Sequence, residues 1–212
     1  MKYIKRQGEK WLNDNLKSPK AAIVLGARQV GKTTLLNQLL AEQGGRLLNL
    51  DVEVDKAQLE AVRSAPPEKA LEILGNPPIL VIDEAQRWPE VSRLVKGWYD
   101  SKLKVKIILS GSSSLNLLDQ AAEPLTGRNE KLFLPPLLFE EILNSQAWYS
   151  PNLTDQLTTG KSPLAPTLHS LLFTSLVFGS YPAAVTAGDK EGYLLTLTSD
   201  YLLKDVFQLG NL

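Results

Sequence analysis

Cysteine is absent from this chain of 212 residues, and histidine occurs only once, at position 169. Thiolate zinc sites, disulfides and cysteine nucleophiles are therefore excluded, and no pair of histidines can bind a metal ion. Catalysis by a serine, histidine and aspartate triad would have to depend on His169 alone. These absences remove several classes of enzyme from consideration.

A net charge is also absent, since 23 lysine and arginine residues balance 23 aspartate and glutamate residues. The protein as a whole therefore has no field that would hold a nucleic acid, and any such contact would have to be local. The amino terminus lacks the apolar core of a secretion signal, and the longest apolar stretch, residues 168–179, is too short and too polar to cross a bilayer. We expect a cytoplasmic protein with no membrane contact.

Short apolar runs recur along the first two thirds of the chain and alternate with helical patterns. This alternation predicts an α/β fold, a three-layer sandwich whose mainly parallel sheet is covered on both faces. The predicted strands are residues 21–25, 46–50, 79–82, 105–109 and 131–134. The predicted helices of this region are residues 2–17, 33–43, 56–74, 91–101 and 114–120.

The periodic apolar pattern gives way to serine, threonine, proline and glycine near residue 150. We predict a domain over residues 1–150, a linker over 151–166 and a helical extension over 167–212. The extension contains two helical patterns, at 167–178 and 189–208. Apolar residues cover more of the second helix than a single stripe, so we expect this helix either to self-associate or to be loosely ordered.

A glycine-rich motif lies between the first predicted strand and the next helix. Residues 26–33 read GARQVGKT, which matches the pattern GxxxxGK[ST] in the strand, loop and helix context that phosphate binding requires. Backbone N–H groups and the helix dipole would hold phosphate, Lys32 would reach the β and γ phosphates, and Thr33 would hold Mg²⁺. The residues predicted to bind the nucleotide are Gly26, Ala27, Arg28, Gln29, Val30, Gly31, Lys32, Thr33 and Thr34.

A carboxylate pair follows the third predicted strand. The apolar residues 79–82 precede Asp83 and Glu84, which is the form of a Walker B strand. Asp83 at the strand tip is predicted to hold the Mg²⁺ together with Thr33. Glu84 is predicted to orient and deprotonate the water that attacks the γ phosphate.

Two further side chains are candidates for contact with the γ phosphate. Ser110 ends the fourth predicted strand, and strand tips in such sheets face the ligand crevice, which favours a sensor over the alternative of a helix N-cap. Arg128 precedes the last predicted strand and is either an arginine finger, in its own site or a neighbour's, or one half of a surface ion pair with Glu123 or Glu130.

These motifs together resemble a group of prokaryotic AAA-type ATPases with the pattern GPRQVGKTTLL, hhhDEhQ, GSSS and GR. The matching segments are residues 26–36, 82–87, 110–114 and 127–128, and residues 179–182 resemble the next element of that family. The resemblance implies a P-loop NTPase sheet in which the sensor strand lies between the Walker A and Walker B strands. It also implies a longer protein that continues into a winged-helix-like segment and a restriction-endonuclease-like C-terminal domain. Residues 167–212 would be the start of this C-terminal region.

The chain departs from that pattern at two positions. Ala27 replaces the usual proline, which should matter little because the side chain points away from phosphate. Ser180 replaces the usual second glycine in a turn.

The sequence leaves two functional readings open. The first is a Mg²⁺-dependent ATPase module that controls a C-terminal effector, and the second is a slow-turnover ATP-dependent switch that acts by binding a partner or DNA. A GTPase would need an NKxD-like motif to read guanine, and none occurs. A small-molecule kinase would need an arginine-rich lid, but no arginine follows Arg128.

Overall fold

The structure is a computed structural model, and it describes residues 3–112, 124–153 and 162–209, with backbone alone from residue 200 onward. The chain forms two compact units. The first, Arg6–Pro135, is called the sheet unit below, and the second, which combines Met1–Lys5 with Pro136–Leu212, is called the helical unit. The predicted domain boundaries at residues 150 and 166 stay a prediction.

The sheet unit is built on five parallel strands in the order β2-β3-β4-β1-β5, which confirms the predicted α/β fold. The strands are β1 Ala21–Gly26, β2 Arg46–Asn49, β3 Ile79–Asp83, β4 Lys106–Ser112 and β5 Asn129–Phe133. Every residue of β1 and β3 is buried, because helices cover both faces of the sheet. Continuous apolar runs rather than alternating ones are typical of such strands.

The strand carrying the predicted sensor lies between the strands of the two nucleotide motifs, as the resemblance implied. Val24 of β1 is opposite Ser110 of β4, and Ile82 of β3 is opposite Leu109. Parallel strands end at the same side of a sheet, called the carboxyl edge below, and begin at the opposite side, the amino edge. The carboxyl ends of β1, β3 and β4 therefore meet at one place.

Helices cover both faces of the sheet, so the fold has three layers. Side chains on one face, such as Ile23 and Ile82, share a core with α3, α4 and α5. The alternate side chains, such as Val24 and Val81, are fully buried on the other face, where α2 packs against the sheet and α1 packs on α2. These helices are α1 Gly8–Asn15, α2 Lys32–Gln43, α3 Glu53–Val62, α4 Pro67–Ile73 and α5 Val91–Asp100.

Two helices of the sheet unit are shorter than the sequence predicts. The pattern over residues 56–74 is two helices, α3 and α4, because Pro66 and Pro67 end one helix and begin the next. The helix predicted over residues 2–17 is shorter and forms only as Gly8–Asn15. The helix predicted at residues 114–120 lies outside the described residues.

The helical unit contains α6 Phe139–Asn144, α7 Ala165–Phe178, α8 Pro182–Thr186 and α9 Lys190–Leu209. The helices α7 and α9 confirm the two predicted helical patterns, whereas α6 and α8 were not predicted. Part of the predicted linker, residues 154–161, lies outside the described residues. Within residues 3–112, 124–153 and 162–209, none of the helices combines the length and the apolar character that crossing a bilayer requires.

A buried lysine holds the amino edge of the sheet together. The ammonium group of Lys106 donates hydrogen bonds to the carbonyls of Ser18 at 3.0 Å and Lys20 at 2.6 Å. Burial lowers the pKa of Lys106 to about 8, although the nearby Glu130 carboxylate opposes this shift. A neutral amine keeps two N–H donors, so both carbonyls stay bonded when the proton leaves.

We predict that the free energy of unfolding rises with pH because of Lys106. Below pH 8 this lysine is charged in both the folded and the unfolded protein, and burial of the charge destabilises the folded protein. Between about 8 and 10.5 the folded lysine loses its proton before the unfolded one does, so the stability increases, by an amount on the order of 3 kcal/mol at most. Urea unfolding of the parent and of Lys106→Met from pH 7 to 10.5 measures this rise.

Lys104→Met is the matched control, because Lys104 is an exposed lysine two residues before Lys106, on the connection that precedes β4. We expect the control to follow the parent and Lys106→Met to lack the rise. Equal pH dependence of Lys106→Met and the parent would contradict the assignment.

Candidate active site

The phosphate-binding loop connects the end of β1 to the start of α2. Gly31 has φ of 95°, a value that L side chains rarely adopt, and Gln29 is also left-handed at 61°. Gly26 is required for a different reason, since a Cβ there would lie 2.5 Å from the carbonyl oxygen of Leu134. The loop is therefore held in one shape by backbone constraints at its start, middle and end. Of the other predicted nucleotide-binding residues, Ala27, Thr33 and Thr34 are exposed, Arg28 is half-buried and Val30 is buried.

Lys32 lies over the loop rather than in solvent. Its ammonium group donates hydrogen bonds to the carbonyls of Gly26 at 3.0 Å and Ala27 at 2.9 Å, and the residue is buried. Desolvation lowers the pKa of Lys32, while Glu84 and Asp83 act in the opposite direction. A buried ammonium group is better stabilised by an anion than by carbonyls. This lysine is therefore placed to exchange its carbonyl contacts for phosphate oxygens.

The two predicted metal ligands are in direct contact. The Thr33 hydroxyl donates a hydrogen bond of 2.6 Å to Oδ2 of Asp83, which lies at the end of β3 and is 1% exposed. No group of three acidic, histidine or cysteine side chains that could hold a metal occurs within the described residues. One hydroxyl and one carboxylate fit Mg²⁺, which usually takes one or two protein oxygens together with water and substrate phosphates.

Glu84 follows Asp83 in an unusual backbone conformation. Its φ of 53° is left-handed, and its N–H donates to Oδ1 of Asp83 at 3.0 Å. The chain then enters a short 3₁₀ helix, Ala85–Arg87, whose Gln86 side chain donates to the Glu84 carboxylate. The two adjacent carboxylates therefore have different partners, because Asp83 accepts from the Thr33 hydroxyl and Glu84 accepts from the Gln86 amide.

Ser110 lies in β4 next to this carboxylate pair. The residue is fully buried, and its Oγ has no hydrogen-bond partner within the described part of the chain. A buried hydroxyl without a partner is uncommon and costs about 1–3 kcal/mol. The N-cap alternative does not fit this residue, because Ser110 belongs to a strand that continues to Ser112. Its predicted role as a sensor stays a prediction.

Arg128 lies at the amino edge, away from the phosphate-binding loop. Its carbonyl accepts a hydrogen bond of 2.9 Å from the N–H of Ala21, the first residue of β1, whereas the loop follows the last. Its side chain forms an ion pair of 2.8 Å with Asp100 and lies 6.0 Å from the ring centre of Tyr99. The partner is thus neither Glu130 nor Glu123, which lies outside the described residues. The structure does not bring Arg128 to the loop of its own chain.

A buried arginine that belongs to no sequence motif stabilises the phosphate-binding loop. Arg6 is 4% exposed, and its guanidinium group donates to the carbonyls of Val30 and Pro135, each at 2.7 Å. It therefore ties the phosphate-binding loop to the chain that leaves β5. Sequence analysis missed Arg6 because its partners are distant in sequence, and nothing near residue 6 distinguishes this arginine from a solvated one.

Solved structures of low sequence identity align with the chain, and the first of them shares its fold. A Walker-type ATPase of Pyrococcus abyssi aligns with 99% of this chain and 76% of its own, with a TM-score of 0.67 and 18% identity. A katanin structure aligns with 67% of this chain and 55% of its own, with a TM-score of 0.45 and 21% identity. A DNA replication initiation factor aligns with 84% of this chain and 63% of its own, with a TM-score of 0.44 and 16% identity. No curated protein sequence matches the chain.

A family model gives the classification. The model of the AAA domain matches residues 18–143, which is more than half of the 212 residues. The matched segment contains the phosphate-binding loop and the strands that end in Asp83 and Ser112. The chain therefore belongs to the AAA domain family of P-loop ATPases.

Proposed function

We propose that this protein binds ATP with Mg²⁺ and hydrolyses it at the carboxyl edge of the sheet. The observation that carries the proposal is the hydrogen bond of 2.6 Å between Thr33 and Asp83, two oxygen groups brought together beside Lys32 from different elements. A purely structural strand-to-helix turn needs neither a buried lysine over the loop nor a carboxylate on the first helical hydroxyl.

Phosphate binding falls to the loop and to Lys32. The N–H groups of the loop and the positive end of α2 attract phosphate oxygens. Lys32 leaves the carbonyls of Gly26 and Ala27 and bonds to the β and γ phosphates, whose negative charge offsets the cost of the desolvation that lowers its pKa. Thr33 and Asp83 would hold Mg²⁺, which when bound neutralises charge that develops on the phosphate oxygens.

Hydrolysis requires a base for the attacking water, and we assign this role to Glu84, the carboxylate that follows the proposed metal ligand Asp83. A new bond forms between the water oxygen and the γ phosphorus as the bond to the β-phosphate oxygen breaks. One water proton passes to Glu84, and ADP departs with the bridging oxygen. The unpaired Oγ of Ser110 is available to bond a γ-phosphate oxygen.

The wider role of the module is proposed to be control of a C-terminal effector with restriction-endonuclease-like character. This proposal rests on the resemblance of the motifs to those of the family.

The alternative, a slow-turnover switch, uses the same site but acts by binding a partner or DNA. The absence of arginine after Arg128 is compatible with slow turnover in isolation. Self-association through α9 remains proposed as well, and Leu195 on this helix is 65% exposed.

The nucleotide preference is predicted to be ATP over GTP, because no guanine-reading motif occurs. Titration calorimetry with both nucleotides and Mg²⁺ measures it. We expect Lys32→Ala to abolish most binding, and Lys104→Ala, an exposed control, to bind like the parent. Equal or tighter binding of GTP would contradict the base preference, and unchanged binding by Lys32→Ala would contradict the site.

The two carboxylates are predicted to separate chemistry from binding. Glu84→Gln should bind ATP normally and lose roughly a hundredfold or more of its hydrolysis, because it removes the base. Asp83→Asn should instead weaken the Mg²⁺-dependent part of binding. Single-turnover hydrolysis and calorimetry with and without Mg²⁺ distinguish them, with Glu68→Gln as an exposed control. The role of Glu84 is wrong if Glu84→Gln hydrolyses ATP at the rate of the parent.

Arg128 is predicted to act on the site of a neighbouring copy. Arg128→Ala should hardly change the melting temperature, because an exposed ion pair contributes at most about 1 kcal/mol, but it should slow hydrolysis. A mixture of the variants Arg128→Ala and Lys32→Ala should regain activity. The first variant keeps an intact phosphate-binding loop, and the second supplies Arg128 to that loop from a neighbouring copy. Specific activity of the parent should also rise with protein concentration. Concentration-independent hydrolysis that Arg128→Ala leaves intact would show a surface ion pair only.

A further inference from the structure

Gln86 is a polar residue beside the carboxylate pair to which no function has been assigned above. Its Nε2 donates a hydrogen bond of 2.5 Å to Oε2 of Glu84, two residues earlier. An ionised carboxylate has no proton to donate, so the amide nitrogen rather than the amide oxygen must face it. The orientation of the Gln86 side chain therefore follows from the chemistry of its partner.

This orientation leaves the amide oxygen of Gln86 unsatisfied. Oε1 is buried, and within the described residues it has no hydrogen-bond partner. Buried polar atoms without partners in a protein usually bond an ordered water or a ligand. The unpaired Oε1 belongs to the side chain that bonds Glu84. It therefore indicates a place beside this glutamate that receives a water molecule.

The backbone holds this arrangement in place. Glu84 has a left-handed φ of 53°, and the 3₁₀ helix follows at once, so Glu84 and Gln86 project from a single tight turn. The N–H of Arg87 donates to the carbonyl of Glu84 at 2.9 Å and closes the turn. A left-handed non-glycine residue costs on the order of 1 kcal/mol or more, and such strain persists where the surrounding structure enforces it.

We propose that Gln86 orients the water that Glu84 deprotonates, as a partner that works together with this glutamate. Nε2 keeps the Glu84 carboxylate turned toward the water, and Oε1 accepts a hydrogen bond from the second proton of the same water. One proton passes to Glu84, and the other stays on the oxygen that becomes the hydroxyl of inorganic phosphate. The inference rests on the proposed ATP hydrolysis and assigns one further residue to it.

The test compares two glutamines that each bond a glutamate. Gln86→Met keeps the length of the side chain and removes both the donor and the acceptor. Gln38→Met is the matched control, because Gln38 donates to Glu42 at 2.7 Å on the exposed surface of α2. We expect Gln86→Met to slow single-turnover ATP hydrolysis roughly tenfold to a hundredfold, the size of effect that loss of positioning produces. Its affinity for ATP should stay within about twofold of the parent, and Gln38→Met should match the parent in both measurements.

A double-mutant cycle with Glu84→Gln tests whether the two residues act together. Groups that act as a unit are strongly non-additive. The double variant should therefore hydrolyse ATP within about twofold of Glu84→Gln alone. A structural role of Gln86 would instead lower the melting temperature or the ATP affinity and would slow hydrolysis equally in both backgrounds, and that result would overturn the inference.

The outcomes also separate this inference from the function on which it rests. If the parent binds ATP but never hydrolyses it, the proposed ATPase function fails. If the parent hydrolyses ATP and Gln86→Met does so equally fast, the function stands and the role of Gln86 is wrong. Gln86→Ala provides a second variant if Gln86→Met does not fold.

Discussion

The parallel pairing of β1 with β4 and of β4 with β3 is the constraint on which the site depends. Strands paired in this way end together, so the loop after Gly26, the carboxylate Asp83 and the hydroxyl Ser110 meet at one edge. A shift of one residue in either pairing would turn the side chains that follow to the other face. The buried core on both faces opposes such a shift, and the same packing that stabilises the fold therefore positions the chemistry.

Three buried cations show how the sheet unit uses main-chain carbonyls. Arg6 bonds the carbonyls of Val30 and Pro135, Lys32 bonds those of the loop, and Lys106 bonds those of Ser18 and Lys20. Carbonyls satisfy the donors but supply no full negative charge, so burial lowers the pKa of both lysines. Of these, Lys32 is the cation whose two carbonyl partners both belong to the glycine-rich loop, as expected for the proposed phosphate contact.

Patterns that are local in sequence predicted most of the fold and the centre of the site. The strands and the residues Lys32, Thr33 and Asp83 follow from runs and spacings a few residues long, whereas the place of the sensor strand in the sheet came from the family resemblance. Of the predictions that failed, one did so for a reason that is visible locally in the sequence and another for a reason that is not. Two adjacent prolines divided one predicted helix into α3 and α4, whereas the position of Arg128 depended on which edge of the sheet the segment before β5 reaches.

The class of fold and the residue types of the predicted nucleotide site follow from the amino-acid sequence, because the glycine-rich loop and the strand that ends in Asp83 are contiguous segments of the chain. Which distant groups meet depends on the packing of the folded chain. It joined Thr33 to Asp83, sent Arg128 to Asp100 at the amino edge, and placed Arg6 behind the loop. Those contacts join residues far apart in the chain, and such pairings exist only once the sheet and its helices have packed.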